Sequence, residues 1–288
     1  MNKTVSIITN LLIYVIAIFL VIATWQYLPD VNLFWKILMA DVIGTFVVFF
    51  FSMIFNNSSM YDPYWSVQPF VIAIFLAWPL QELSLMGMIV LFMVFLYALR
   101  LTLNFYRGWT GMKHEDWRYR NFRKGFPKLY WPISFLGIHL FPTIMVFLAC
   151  MSMVQIFRGP GMELNIWFFV GLITMILAVG LAFIADEQMR IFRNKPENQG
   201  KLMQGGLWKY SRHPNYFGEI LTWWGLFFFS LSAGYDQWWM IVGPFTVTIM
   251  FLVISIPMLE KRELERRAEY ADYKKQVSIL IPFKSVRL

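Results

Sequence analysis

Cysteine is almost absent. Cys150 is the only one in 288 residues and it lies inside an apolar run, which excludes an internal disulfide and a cysteine metal cluster; no metal site is expected. Charge is scarce as well, at 15% of residues, and acids are the scarcer sign, 17 Asp and Glu against 25 Lys and Arg. No low-complexity linker or internal repeat interrupts the chain, so a single membrane-embedded domain over 1–288 is expected.

What fills the space is apolar. Hydrophobic residues make up 58% and aromatics 19%, well above the roughly half apolar content of soluble chains, and mean hydropathy is +0.55. Apolar runs at about 5–27, 34–55, 67–80, 84–105, 131–156, 165–185, 216–233 and 238–259 approach the ~20 residues a spanning helix needs. The expected fold is therefore all-α, a polytopic transmembrane helix bundle of about eight spans. The first run follows only Met1, Asn2 and Lys3 and lacks a small-residue cleavage site before Gln26, so it reads as a retained span.

The excess of positive charge is concentrated. Seven Lys and Arg fall in 106–130, six in 186–215 and eight in 260–288. Segments so enriched are cytoplasmic by the positive-inside rule, while the opposite connections carry Asp30, Glu82, Glu163 and Asp236 against Lys36 and Arg158. Both termini then face the cytoplasm. The charge serves topology and membrane lipids, and no nucleic-acid partner is implied.

Polar residues inside or beside the spans mark candidate sites, because they are costly there. Asp41 sits in mid-span, with Thr45 four residues on and able to satisfy it locally. The turn-rich loop Asn56 to Pro69 carries Asp62, Tyr64, Trp65 and Gln68. Arg100, Asn104 and Arg107 recur at four and three residues and share a helix face; after them His114, Glu115, Asp116, Trp117, Arg118 and Tyr119 interleave charge with aromatic rings, as a ligand-binding loop does. His139 reads as a satisfied core histidine. Asp186, Arg190 and Arg193 form one helical stripe, a plausible guanidinium fork for phosphate. Gly205 and Gly206 open the stretch GGLWKYSRHPNYFGE, in which Pro214 pre-sets a helical first turn and Asn215 onward would present a helix N-terminus to an anion. Lys209, Arg212 and His213 stand beside it, and Glu219 lies one turn inside. The tail reads as helical through about Lys275, with Glu260, Arg262, Glu263, Arg266, Arg267, Tyr270 and Tyr273 along it.

Four blocks in order carry a resemblance: YALRLTLNFYRGWTGMKHEDWRYR, ADEQMRIFRN, GGLWKYSRHPNYFGE and the tail ADYKKQVSILIPF. From roughly Tyr97 onward the chain resembles a bacterial membrane family of unknown function allied to the steroid 5-alpha-reductase C-terminal domain, and a DPYW segment resembles the family further upstream. The resemblance implies an NADPH-dependent oxidoreductase of a bacterial inner membrane, with its cofactor on the cytoplasmic side over 97–288. The hydride would pass to the C=C bond of a lipophilic enone, steroid-like or isoprenoid. It implies that Arg100, Arg107, Arg190, Arg193 and Arg212 hold phosphates and that Asp186, Asn215, Tyr216 and Glu219 bind the remaining polar edges. Asn104, Trp117, Arg118, Tyr119, Tyr210, His213 and Arg266 complete the cofactor set. Tyr97, three residues before Arg100, is the implied ketone-polarising tyrosine, with Asp62 and Tyr64 as further acids; Gln81 and Glu82 resemble the family's Gln-Glu pair, and Gln68 is an alternative. The Arg-His-Pro-x-Tyr-x-Gly stretch also resembles membrane methyltransferases of the isoprenylcysteine or phospholipid type, in which Arg212, His213, Tyr216 and Glu260 or Glu263 would surround S-adenosylmethionine. A non-catalytic membrane protein retaining the fold is the third reading.

Overall fold

The computed structural model describes residues 1–282; the end of the tail block, from Phe283, lies outside them. Among the described residues the protein is all-α, apart from one isolated parallel bridge between Ser211 and Ser278. Helices form at all eight apolar runs, and six are long and apolar enough to cross a membrane: α1 (Lys3–Trp25), α2 (Leu33–Ile54), α4 (Leu85–Gly108), α6 (Tyr130–Arg158), α7 (Ile166–Asn194) and α9 (Trp238–Arg266). The other two are α3 (Tyr64–Ala77), of 14 residues, and α8 (Pro214–Ser232), of 19. Short polar-face helices α5 (Trp117–Gly125) and α10 (Tyr270–Gln276) complete the set.

Helix starts follow local chemistry. The side chains of Asn2, Asn32, Ser84, Asp116 and Asn165 accept from backbone N–H groups of the first turns, satisfying donors that have no helical partner. Two long helices contain π-type stretches, Ser134–Leu140 in α6 and Phe251–Ser255 in α9. Each lies just before a proline, Pro142 and Pro257, whose missing N–H and ring block the regular ladder.

The chain divides into two compact units, Met1–Arg158 and Gly159–Leu288. In the first, Ile13, Tyr14, Ala17, Val48, Met60, Tyr61 and Tyr64 form an apolar and aromatic core. A buried polar network runs beside it. Thr45 and Tyr61 each meet Thr143 Oγ1 at 2.7 Å, and that hydroxyl donates to the His139 carbonyl at 2.9 Å. With its one proton given to that carbonyl, Thr143 accepts from both partners, so the network ends there and locks α2, the turn Ser58–Tyr61 and α6 together. This corrects one expectation: Thr45 turns to Thr143, and Asp41 instead accepts from Gln68 of α3. His139 is buried, with Nδ1 2.9 Å from the Ser134 carbonyl and Nε2 3.2 Å from Ser52 Oγ, a satisfied core histidine.

The second unit is built on the α7–α8 pair, drawn together by glycine. A Cβ on Gly218 would fall 2.6 Å from the Ala178 carbonyl and 2.7 Å from the Ala182 methyl; one on Gly225 would meet Met175 at 2.6 Å. Their seven-residue spacing, two turns, keeps both on one seam, the small-residue packing by which helices approach in a bilayer. The tail departs from the expected single helix. α9 ends at Arg266, Arg267 is extended, and α10 starts at Tyr270.

Candidate cofactor and acid sites

In the first unit two polar loops are joined side by side. Asn57 Nδ2 donates to the Met112 and His114 carbonyls at 2.7 and 3.0 Å, Ser58 N to Glu115 at 2.9 Å, and Asp116 N to Ser59 Oγ at 2.8 Å. Much of the expected ligand-binding loop thus makes structural bonds. Glu115 also pairs with Arg123 at 3.0 Å and accepts from Tyr130 at 3.0 Å.

Asp62 occupies the centre of this junction. Tyr119 donates its hydroxyl to Asp62 Oδ1, and the Arg118 guanidinium lies 3.9 Å away. Burial raises the Asp62 carboxyl to about 7; Arg118 opposes the shift, Asp116 adds to it, and the Tyr119 and Ser59 hydrogen bonds oppose it. Asp62 is therefore an acid poised to hold or release a proton at neutral pH. Tyr64 points elsewhere, its hydroxyl against Gly44 of α2 with Thr45 as hydrogen-bond partner. Tyr97 is buried in α4 within electrostatic reach of Arg100, itself buried one turn on. Asn104 is half-buried and Arg107 exposed on the last two turns, and Trp117 is half-buried at the start of α5.

In the second unit the loop after Gly205 is pinned to α7. Gly206 takes φ 59°, Leu207 N donates to Gln188 Oε1 at 2.9 Å, and Trp208 Nε1 donates to the Ala185 carbonyl at 3.1 Å. The left-handed conformation and the closeness of Gln188 both require glycine at 206. Following it, Ser211, Arg212, His213 and Pro214 are all buried. Arg212 donates to Glu260 Oε1 at 2.7 Å, to the Lys274 carbonyl at 2.9 Å and to the Val277 carbonyl. His213 Nε2 lies 3.2 Å from the same Glu260 oxygen, and Lys274 Nζ 2.7 Å from Oε2. Burial lowers the His213 pKa, against Glu260, which raises it. Arg212 is thus a tie between loop, α9 and tail. The expected anion at the start of α8 meets a buried proline and this closed ion cluster, though no side chain caps the helix.

Around that tie stand the remaining candidates. Asn215 Nδ2 is 3.4 Å from Asp186 Oδ1, joining α8 to α7. Tyr216 stacks on the His213 ring, centroids 5.6 Å apart at 11°, and packs on Phe251 in the π-type stretch of α9. Glu219 is buried one turn along α8, and Tyr210 is exposed. The expected Asp186–Arg190–Arg193 fork is loosened, because Arg190 is held by Glu187 at 2.6 Å while Asp186 turns to Asn215. Arg193 is exposed, has no ion-pair partner among the described residues, and lies within electrostatic reach of Arg266 and Arg267. Those two share one acid, Glu263. Gln188 and Lys274 were not foreseen. Both lie inside the four blocks, yet no local spacing points to their roles, since their partners are 19 residues on for Gln188 and 14 residues before for Lys274.

Comparison with known proteins agrees with the four-block resemblance. The chain is 26% identical over 277 residues to an uncharacterized protein of Schizosaccharomyces pombe, covering 85% of this chain and 78% of that one. It is 28% identical over 120 residues to the rat 3-oxo-5-alpha-steroid 4-dehydrogenase 1, and the mouse protein of that name matches equally. These matches cover 40% of this chain and 41% and 42% of the rat and mouse proteins, so the likeness to the reductases is partial. No solved structure matches. Residues 48–277 match the family described as Protein of unknown function (DUF1295), and the chain belongs to that family.

Proposed function

We propose that the protein is an integral membrane reductase that takes NADPH on its second unit and reduces the C=C bond of a lipophilic enone. The observation that carries the reading is the guanidinium cluster of Arg193, Arg266 and Arg267, offset locally by Glu263 and more distantly by Asp186. Like charges held together are relieved by a bound anion, and guanidinium suits phosphate oxygens bidentately. The partial likeness to the 3-oxo-5-alpha-steroid 4-dehydrogenases supports the same choice. When bound, NADPH supplies a hydride. The chain's residues would do the rest: Arg193 and Arg266 hold phosphate oxygens, and the Asp186–Asn215 pair meets polar edges of the ligand. The reaction also consumes a proton, for which Asp62, oriented by Tyr119, is the best-poised donor, with Tyr97 and Tyr64 as the other hydroxyl candidates.

Thermal denaturation of the purified protein with NADPH, NADP or S-adenosylmethionine tests this, since a ligand that binds the folded state raises its apparent stability. NADPH and NADP are expected to raise the midpoint, and Arg193→Ala and Asn215→Ala to remove the shift. Stabilisation by S-adenosylmethionine alone would establish the methyltransferase reading instead, and no response to any of the three would favour a non-catalytic protein.

Asp62 gives a pH signature independent of substrate. Its folded pKa lies above the unfolded value of 3.8, so the folded state holds this proton more tightly. The stability it confers is complete below pH ~4 and is lost as pH rises through ~7. The midpoint difference between wild type and Asp62→Asn should shift against wild type across that window; a constant difference would refute the raised pKa. With an enone substrate in hand, turnover limited by Asp62 as proton donor should fall above pH ~7 in wild type.

A further inference from the structure

We infer that the first unit carries a phospholipid site, a basic depression that takes the phosphate of an anionic lipid headgroup at the membrane surface. The depression has a volume of about 380 Å³ and its walls include Asn56, Lys113, His114, Arg120, Arg123 and Lys124. It contains one acid, Glu115, which is already bonded to Arg123, Ser58 N and Tyr130. Arg123 is likewise occupied. It makes two bonds to Glu115, reaches Asn56 Oδ1 at 2.8 Å and stacks on Tyr130 at 3.8 Å, so it is wall rather than ligand.

Lys113, Arg120 and Lys124 are exposed and have no ion-pair partner among the described residues. Arg120 and Lys124 are four residues apart on α5 and so share a face. Lys113 and His114 come from a loop held by Trp109 Nε1 and Asn57 Nδ2, both donating to the His114 carbonyl at 3.0 Å. Three unpaired cations in a concave, pre-shaped setting match a phosphodiester.

Two features select a lipid over a soluble phosphate. The wall residues lie just past the ends of spanning helices: α2 ends at Ile54, α4 at Gly108, and α6 begins at Tyr130. That is the depth of the headgroup layer, outside a hydrocarbon core of about 30 Å. Phe126 and Leu129, just after Lys124 in sequence, and Ile54, two residues before Asn56, expose large apolar side chains, 53%, 58% and 57% accessible, where acyl chains begin. Cations at this depth attract anionic lipid.

The site is independent of the reductase reading and its test needs no cofactor. Wild type and the variant Lys113→Gln/Arg120→Gln/Lys124→Gln are placed in nanodiscs of phosphatidylcholine with increasing phosphatidylglycerol, and the thermal midpoint is followed. Wild type should be stabilised with saturation, and the variant's apparent affinity for phosphatidylglycerol should be weaker by about tenfold or more. A second variant, Lys195→Gln/Lys201→Gln/Lys261→Gln, removes the same charge elsewhere and should behave as wild type. Equal loss in both variants would overturn the site in favour of general surface charge. So would equal stabilisation by inorganic phosphate in pure phosphatidylcholine, which would assign a soluble anion, or a wild type indifferent to phosphatidylglycerol.

Discussion

Arg212→Ala is expected to destabilise the second unit by about 3–5 kcal/mol, the cost of breaking a buried ion pair by removing one partner. Arg212 and Glu260 are both almost fully buried, their side chains 8% and 5% exposed and 2.7 Å apart. The loss exceeds one interaction. Glu260 keeps Lys274 and His213 as partners, but the carbonyls of Lys274 and Val277 lose the donor that ties the tail to the loop, and an unmet buried acceptor carries its own penalty. Thermal melting followed by tryptophan fluorescence checks this, because Trp208 and Trp223 are buried in the same unit. Replacing Arg212 and Glu260 together by methionine should recover only the part due to the weakened pairing of Glu260, because the carbonyls stay unmet and Lys274 and His213 lose their acid. If Arg212→Ala melts within a degree of wild type, Arg212 is not the tie the structure makes it.

The second large effect is expected at Gly218. Its valine variant would press a β-branched side chain against the Ala178 carbonyl, the Ala182 methyl and the Ala182 N, whose distances from a Cβ are 2.6, 2.7 and 2.9 Å. Two of these are backbone atoms and cannot swing aside, so α7 and α8 must separate; overpacking of this kind costs about 1–3 kcal/mol. The separation also parts Asp186 from Asn215, one turn away. Gly218→Val should therefore lower the melting midpoint and reduce the stabilisation by NADPH together. Gly180, also in α7, has open space around its Cβ position, and Gly180→Ala should be neutral or slightly stabilising. Equal effects at the two glycines would contradict the seam.

Much of the fold is legible in the residues because a bilayer imposes a simple rule: backbone polar groups must be satisfied within a segment, so a long apolar run becomes a helix. All eight runs do so. The length rule is less decisive for α3 and α8, where prolines and polar residues dilute the run. The tail was less legible still: an alternating charge pattern reads as one helix, whereas the chain breaks at Arg267 so that Tyr270 and Tyr273 can turn inward beside Arg212.

For the site, local spacing was a good guide to which face a residue shares and a poor one to its partner. Asp186 and Arg190 do stand one turn apart, yet each pairs elsewhere, Asp186 with an amide 29 residues on and Arg190 with its neighbour Glu187. Asp41 and Thr45 repeat the pattern, with partners 27 and 98 residues away. Helical periodicity fixes neighbours on one element, but a buried polar group takes whichever donor or acceptor the packing of other elements delivers.

The residue order alone thus determined that this is an all-helical membrane protein, where its charge collects and which four blocks carry its polar chemistry, since each follows from composition and short-range periodicity. Only the tertiary structure decided that Arg212 is a tie rather than an open anion ligand, that Arg193 lies within electrostatic reach of Arg266 and Arg267, and that Asp62 is half-buried against Tyr119. Those outcomes depend on contacts between residues as much as 65 positions apart, and on the loss of water that such contacts bring, which no local pattern encodes.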